Sequence, residues 1–140
     1  MSLAMSITER ENFLADVHVG VISIPRPGRG PLTVPIWYDY TPSGPVTVIT
    51  SANSIKGKLL AGADRISLCA QTESLPYRYV SVEGPFETRR PYEGELLRMA
   101  SRYLGEAAGR DYAASAGDTD DSIVVCLSPH TWQSVDYGKR

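Results

Sequence analysis

The sequence predicts a mainly β fold, a small and partly open β-barrel with helices packed on its outside. About six runs are rich in β-branched and aromatic residues, which indicates strands. The first three runs follow one another across short connections rich in Pro and Gly, a pattern typical of antiparallel strands. About three or four segments carry helical signals, so strands dominate and a barrel with outer helices is favoured.

The first half of the chain is predicted to contain one helix and a meander of three strands. Ser6 and Glu9 form a capping-box pattern, which predicts a helix that runs to about Ala15. Strands are predicted at 18–24, 32–40 and 46–50, with turns at 25–31 and 42–44.

The second half mixes strands and helices. Helices are predicted at 54–61 and at 92–104, the second one opened by Pro91. Strands are predicted at 66–72, 79–89 and 123–127. Gly84-Pro85 indicates a bulge or kink within the second of these strands. The segment 107–119 is expected to be half helix and half loop, and the final segment 132–137 leads into a polar tail.

Composition is that of an ordinary globular domain. The sequence is 42% hydrophobic and 21% charged, and its net charge of −2 does not favour a nucleic-acid binder. No apolar run approaches the roughly 18 residues of a membrane helix, and no signal peptide is recognisable, so we expect a cytoplasmic location. We expect one domain over residues 1–140, with 1–5 disordered or added for expression and Met5 as the natural start.

Side chains that could carry chemistry on their own are sparse. Cys69 and Cys126 lie in apolar runs and are expected to be buried free thiols, and no ligand spacing predicts a metal site. His18 is expected to be structural and His130 solvated, and Asp120-Asp121 is expected to be a solvated loop. No triad, P-loop or dinucleotide-binding glycine motif is present, so the sequence identifies no catalytic residue.

The segment 50–58 is the most informative. Thr50 and Ser51 end a strand, and Ser54 is a suitable cap for the helix that follows. The first turn of a helix favours acidic residues, but here Lys56 and Lys58 occupy it, at a cost of about 0.3–1 kcal/mol each. A bound anion would make the two lysine charges favourable, and it could also accept hydrogen bonds from the hydroxyls. The segment therefore predicts an anion site.

The two lysines are expected to differ. At about 100° per residue, Lys56 falls on the same side of the helix as the apolar residues, whereas Lys58 falls roughly opposite. The apolar face is formed by Ile55, Leu59, Leu60 and Ala63. Lys56 is therefore the stronger phosphate candidate. The alternative is that its ammonium group reaches water past the helix end.

A proline within the second predicted strand marks another candidate segment. Pro35 removes a ladder donor, so this strand lies either at a sheet edge or at a ligand cleft. Trp37 and Tyr38 point to opposite faces, and Trp37 is either a core residue or a ligand contact.

Several motifs occur in a characteristic order. They are Val34-Pro-Ile-Trp-Tyr38, Thr50-Ser51, Ser54-x-Lys56-x-Lys58-x-Leu60, Asp64-Arg-Ile-Ser-Leu68, Pro76-Tyr-Arg-Tyr-Val80, Val82-Glu-Gly84, Leu127-Ser-Pro129 and Trp132-Gln-Ser-Val-Asp-Tyr-Gly-Lys139. Over most of its length the chain thus resembles the pyridoxamine-5′-phosphate-oxidase-like split-barrel flavoproteins, including their actinobacterial branch that uses the deazaflavin F420. The resemblance implies a six-stranded antiparallel split barrel that binds FMN or F420, and a homodimer with cofactor clefts between its two barrels.

The resemblance also implies roles for individual residues. The positions that contact the cofactor phosphate correspond to Lys56 and Lys58. Many relatives carry Arg at the position of Lys58. A lysine there lacks the bidentate fork of an arginine. Trp132 matches a C-terminal aromatic residue that reaches the site, in some relatives across the dimer. The hydroxyl groups that lie beside the cofactor phosphate in the family correspond to Thr50, Ser51 and Ser54. The strand whose backbone follows the cofactor ring system corresponds to Val34, Pro35, Ile36 and Trp37.

The expected function is that of an oxidoreductase. With FMN or F420 it would transfer hydride or electrons to or from a small organic substrate, and no nucleic-acid or membrane partner is expected. The first alternative is a non-catalytic protein of the same fold that binds or sequesters the cofactor or haem. The second is a structural or interaction domain with an empty cleft.

Overall fold

The computed structural model describes residues 2–116 and 121–140. In these residues eight strands, four α-helices and a short 3-10 helix are formed. The strands are β1 (Gly20–Ile24), β2 (Leu32–Ile36), β3 (Asp39–Tyr40), β4 (Val46–Ser51), β5 (Arg65–Gln71), β6 (Arg78–Arg89), β7 (Ser122–Leu127) and β8 (Thr131–Asp136). The helices are α1 (Ile7–Ala15), α2 (Ile55–Leu60), α3 (Glu95–Leu104), α4 (Glu106–Ala116) and the 3-10 helix Tyr137–Lys139.

Alternation of apolar and polar residues along the strands creates one buried face. Ile22 of β1, Leu68 of β5, and Val80 and Val82 of β6 are each no more than 1% exposed. Their polar neighbours in sequence point to the other face, as the two-residue period of a strand requires. α1 and α2 pack on the same core through Phe13, Leu14 and Leu60. The helices therefore lie outside a curled sheet, as predicted.

All strand pairs are antiparallel, and the long strand β6 joins two groups of strands. The order along the sheet is β2-β1-β5-β6-β7-β4-β3, and β8 pairs with β6. Residues 79–85 of β6 pair with β5, and residues 78–83 pair with β8 on the other edge. Residues 86–89 then pair with β7. The change of partner from β8 to β7 occurs at Gly84-Pro85, where the sequence predicts a bulge or kink.

The strand count is eight rather than six, for two reasons. The predicted strand 32–40 is split after Ile36, because the backbone of Tyr38 bonds to side chains of α3: its N–H donates to Tyr103 Oη (2.9 Å) and its carbonyl accepts from Arg102 Nε (3.0 Å). In addition, Thr131–Asp136 is a strand. The predicted meander is wrong in part: β1 pairs with β2 and with β5, whereas β4 pairs with β3 and with β7.

The first predicted helix is confirmed, and the helix predicted at 92–104 is confirmed with a later start. α1 has the complete capping box between Ser6 and Glu9. α3 begins at Glu95 rather than at 92, because Gly94 adopts a left-handed backbone with φ of 78° that cannot continue a helix. α4 starts directly after Gly105, whose φ is 85°.

Several residues that the sequence singled out have defined local environments. Met5 is 8% exposed and donates a backbone hydrogen bond to Ser134 Oγ at 3.0 Å. Cys69 and Cys126 are both free and only half-buried. In the part of the chain that the structure describes, no helix is long and apolar enough to cross a membrane, and no cluster of at least three His, Cys, Asp or Glu side chains could hold a metal ion.

Candidate functional site

The 50–58 segment is a tight strand-to-helix turn. β4 ends at Ser51, and the Ser54 hydroxyl caps α2 by accepting a hydrogen bond from the Gly57 N–H at 3.1 Å, as predicted. The same hydroxyl lies 3.2 Å from Thr50 Oγ1 and donates to the Ser51 carbonyl at 2.6 Å. Gly57 lies so close to the Ser51 and Ala52 carbonyls that a Cβ atom there would collide with them. The turn thus brings two of the three predicted hydroxyls together, those of Thr50 and Ser54.

An acidic residue that the sequence placed elsewhere also belongs to this turn. The Ser51 hydroxyl donates a short hydrogen bond to the Asp121 carboxylate, and Asn53 Nδ2 donates to the same oxygen at 3.2 Å. The Ala52 N–H donates to the Asp121 carbonyl at 2.7 Å. The expectation that Asp121 is only solvated is therefore wrong, whereas Asp120 lies outside the described residues. Because Ser51 is bonded to a carboxylate, its hydroxyl is not free for an incoming anion.

The two lysines project from α2 in different surroundings. Gly57 and Leu60 form its buried face, but Ile55 is 69% exposed, so the predicted apolar face is wrong at that position. Lys56 is half-buried and Lys58 is exposed. Within residues 2–116 and 121–140, neither ammonium group has a carboxylate within ion-pair distance. The two lysines are therefore not in a described ion pair, although the Asp121 carboxylate lies in the same turn.

A groove of about 640 Å³ runs beside α2. Lys58 and the Asp64 carboxylate are its charged residues, and Phe86, Ile123 and Leu60 give it an apolar wall. Its complete lining is Ala52, Gly57, Lys58, Leu60, Ala61, Ala63, Asp64, Phe86, Thr88 and Ile123. An apolar concavity of this size with a few polar groups at its edge is typical of small-molecule sites.

The sequence did not identify Phe86, Thr88 and Ile123 as site residues. Alternation along β6 and β7 does place them on one face of their strands. Their proximity to Lys58, however, depends on the pairing of β4 with β7, which joins segments more than 70 residues apart in the chain. No local pattern records that pairing.

The predicted ring-contacting strand lies elsewhere on the protomer. β2 pairs only with β1 in the described chain, so its other edge is unpaired, as Pro35 predicts. The side chains of Val34 and Ile36 pack against the core, and Pro35 is exposed. None of these three residues lines the groove beside α2.

The two tryptophans have partners of their own. The ring of Trp37 stacks on Tyr103 of α3, with centroids 5.1 Å apart and planes 7° apart, and Tyr112 of α4 lies tilted against it at 5.2 Å. Trp132 lies under the Arg10 guanidinium, which is 4.6 Å from its ring centroid. The structure therefore does not bring either indole to the groove of its own protomer.

The histidines are also remote from the groove. His18 stacks on Phe13 with ring centroids 4.4 Å apart, and its Nε2 atom is buried without a hydrogen-bond partner in the described structure. Burial lowers the pKa of His18, while the nearby Asp16 opposes that shift. His130 is exposed. Neither imidazole lines the groove, and His18 has the structural environment that the sequence predicts.

Comparison with known proteins finds solved structures whose fold is similar to that of this chain. No protein-family model and no curated protein sequence matches the chain. Among solved structures, a conserved hypothetical protein from Mycobacterium tuberculosis is similar with a TM-score of 0.79 and 23% identity, over 99% of this chain and 89% of that one. An F420 reductase is similar with a TM-score of 0.70 and 18% identity, over 88% of this chain and 94% of that one.

A third solved structure extends the comparison. An FAD and heme binding protein from Mycobacterium smegmatis is similar with a TM-score of 0.66 and 14% identity, over 94% of this chain and 71% of that one. At these identities the likeness establishes the fold. The chain is a mainly β split barrel with peripheral helices.

Proposed function

We propose that the chain binds a flavin-type cofactor, FMN or F420, in the groove beside α2 and acts as an oxidoreductase on a small organic substrate. The observation that carries the proposal is the position of Lys58, at the edge of an apolar groove on a barrel whose fold is shared with an F420 reductase. Lys56 provides a second cation on the same short helix. We further assign the chain to the F420-using branch of the split-barrel proteins as the hypothesis to be tested first.

The residues of the groove fit such a cofactor in part. A planar tricyclic ring needs an apolar wall, which Phe86, Ile123 and Leu60 supply, and its phosphate needs a cation, which Lys58 supplies. Lys56 lies on the same helix but does not line the groove. The Ser54 hydroxyl donates to the Ser51 carbonyl and the Ser51 hydroxyl donates to Asp121, so neither proton is free for the phosphate. The phosphate contact is therefore assigned to the lysines rather than to Ser51.

Cofactor chemistry of this class needs little from the protein. The bound cofactor would supply the hydride or electron transfer. Lys58 would bind and orient its phosphate end, and Phe86 and Ile123 would exclude water from the ring. These roles require no catalytic side chain, which agrees with a groove that contains no triad of nucleophile, base and acid among its lining residues.

We also propose that a second copy of the chain completes the site. The unpaired edge of β2 and the Trp132 ring do not line the groove of their own protomer. The roles that the resemblance implies for these residues would therefore be met in a homodimer. The groove is open to solvent on one protomer, so a partner could cover it.

The test is a titration of the purified chain with FMN and with F420, followed by cofactor fluorescence. We expect one of them to bind saturably with a dissociation constant in the micromolar range or below. A micromolar dissociation constant corresponds to a binding free energy of about −8 kcal/mol. Absence of saturable binding for both cofactors would contradict the proposal.

Two lysine variants locate the phosphate. Lys58→Ala should weaken cofactor binding by about 1.5–3 kcal/mol, or about tenfold to a hundredfold, because a charge-assisted contact is lost. Lys56→Ala is expected to act in the same direction. Lys139→Ala is the control, since it removes the same charge from an exposed pair with Glu9. Equal affinities in all three variants would place the phosphate elsewhere.

A carrier function on the same fold is the second candidate, favoured by the likeness to an FAD and heme binding protein. Haem would need an axial ligand, and neither His18 nor His130 lines the groove. Turnover of a quinone, enone or tetrapyrrole acceptor with reduced cofactor would support the enzyme. Tight cofactor or haem binding without turnover of any acceptor would support the carrier.

A further inference from the structure

A second concave site lies on the outer face of the sheet formed by β1, β5 and β6. Its volume is about 320 Å³. Its lining consists of Ser23, Pro25, Arg26, Arg29, Pro31, Arg65, Ile66, Ser67 and Glu83, here named the arginine pocket. None of these residues lines the groove beside α2, although a further concavity lined by Arg26 and Arg65 and by Ala63 and Asp64 adjoins both sites.

Strand register builds the polar floor of the arginine pocket. Ser23 of β1 pairs directly with Ser67 of β5, which in turn pairs with Glu83 of β6. The three side chains thus form a row across three adjacent strands. Within the described residues, neither serine hydroxyl forms a hydrogen bond with the protein. Two donors are therefore available on the floor.

Three arginines surround this floor. Arg26 and Arg29 come from the β1–β2 turn and Arg65 from the start of β5. The Arg26 Nε atom donates to the Gly30 carbonyl at 2.8 Å, which fixes its guanidinium group in the turn. In the described part of the chain none of the three forms an ion pair, since every recorded pair involves other residues.

The charge of the arginine pocket opposes that of the whole molecule. Three arginines and one glutamate give its lining a formal charge of +2, whereas the chain carries −2. Like charges gathered in a concavity create a positive potential that attracts an anion. The guanidinium fork matches the oxygens of phosphate, which accept several charge-assisted hydrogen bonds at once.

We propose that the arginine pocket binds the phosphate group of a small molecule, independently of the cofactor groove. Arg26, Arg29 and Arg65 hold the phosphate oxygens, and the hydroxyls of Ser23 and Ser67 donate to them from below. Inorganic phosphate and a phosphate monoester share this chemistry. The Glu83 carboxylate can accept a hydrogen bond from the P–OH of hydrogen phosphate or from a hydroxyl of the ester, so the two arms of the titration distinguish the ligands.

The experiment is a titration of the isotopically labelled full chain with inorganic phosphate and, in a second arm, with glycerol phosphate. Sodium chloride of equal ionic strength serves as the salt control. Amide resonances of Ser23, Arg65 and Ser67 should shift saturably with a phosphate compound and not with chloride. Tighter binding of glycerol phosphate identifies the ester as the ligand class, and equal binding identifies the phosphate group alone.

Variants test the assignment to the pocket. Arg65→Gln and Arg26→Gln should each weaken binding at least about tenfold. Arg110→Gln, which removes the same charge from an exposed pair with Glu106 on α4, should bind as the unmodified chain does. Arg65 is exposed, so its loss should leave the melting temperature unchanged. Lys58→Ala should still bind phosphate at the arginine pocket even if it no longer binds the cofactor. The failure of one proposal is therefore distinguishable from the failure of the other.

Four results would overturn the proposal. They are the absence of saturable shifts at the pocket, unchanged affinity in both pocket variants, equal weakening by Arg110→Gln, and shifts confined to residues 51–58 that disappear in Lys58→Ala. The last result would mean that phosphate binds only at the cofactor groove.

Discussion

At the scale of single residues, Gly57 sets the shape of the turn between β4 and α2. Its Cα lies against the carbonyl groups of Ser51 and Ala52, so any side chain must displace backbone. The cap by Ser54 and the position of Lys58 both depend on that close approach, because they lie on the same short helix. This glycine is conformationally ordinary, and space rather than φ requires it.

Gly57→Ala should therefore lower the free energy of unfolding by about 1–3 kcal/mol, the usual cost of overpacking. It should also weaken cofactor binding, since α2 must shift. Gly62→Ala is the matched control: the nearest atom to its added Cβ would be 3.9 Å away. Chemical denaturation of both variants measures the effect, and equal stability of the two would contradict the packing argument.

A second residue, His18, makes the free energy of unfolding depend on pH. Burial lowers the pKa of His18 in the folded state below the ordinary value of about 6.5. Its neutral form is therefore favoured by folding, and its contribution to stability is present above about pH 6.5 and lost as the pH falls through the folded pKa. The positive charges of Arg78 and Arg102 act in the same direction, while Asp16 opposes them.

We expect the free energy of unfolding to fall between pH 7.5 and pH 5.5, a window chosen around the ordinary pKa of His. His18→Gln should flatten this dependence, whereas His130→Gln should retain it because His130 is exposed. Urea denaturation at both pH values provides the measurement. The prediction is wrong if the two variants show the same slope.

At the scale of elements, α3 is attached to the rest of the fold by polar side chains as well as by its buried Met99 and Ala100. Arg102 donates to the carbonyls of Tyr38, Ala15 and Asp16 at 3.0–3.1 Å, and its side chain is 17% exposed. Tyr103 adds a hydrogen bond of 2.6 Å to the His18 carbonyl. These bonds join α3 to the end of α1 and to the link between β2 and β3.

Replacing Arg102 by Lys should destabilise the chain by about 1–3 kcal/mol, because one ammonium group cannot satisfy three carbonyls in a fixed fork. Arg98→Lys on the same helix is the control. Its side chain is 75% exposed in a pair with Asp39, so the expected loss is below about 1 kcal/mol. Thermal unfolding compares the two, and a loss as large for Arg98 would refute the assigned role of Arg102.

At the scale of the whole molecule, the proposed cofactor site requires two chains. We predict that light scattering of the purified protein gives twice the mass of one chain. Dilution below the dissociation constant of the dimer should weaken cofactor binding, because the partner's contribution is lost by mass action. A monomer that binds FMN or F420 with undiminished affinity would contradict the dimeric site.

Sequence patterns predicted what is local in this fold. The Ser6–Glu9 box, the Ser54 cap and the edge position required by Pro35 were all recognisable, because each depends on residues within a few positions of one another. Most strand positions followed in the same way from alternation.

Long-range contacts were not predictable from such patterns. The bond between Ser51 and Asp121, the stacking of Trp37 on Tyr103, and the groove wall at Ile123 each join distant segments. Local signals also misplaced Ile55, which helical periodicity assigned to the core although α2 has only six residues, too few to bury its first turn.

The pairing of β4 with β7 determines when the groove can form during synthesis. Residues 46–51 leave the ribosome long before residues 122–127, so the first half of the chain must wait with one edge of β4 unsatisfied. Long-range pairing of this kind is slow and exposes apolar surface until it is complete. A nascent chain halted before β7 would therefore carry both lysines yet lack Ile123 and the partner strand of β4, so the groove is complete only after residues 122–127 have been synthesised.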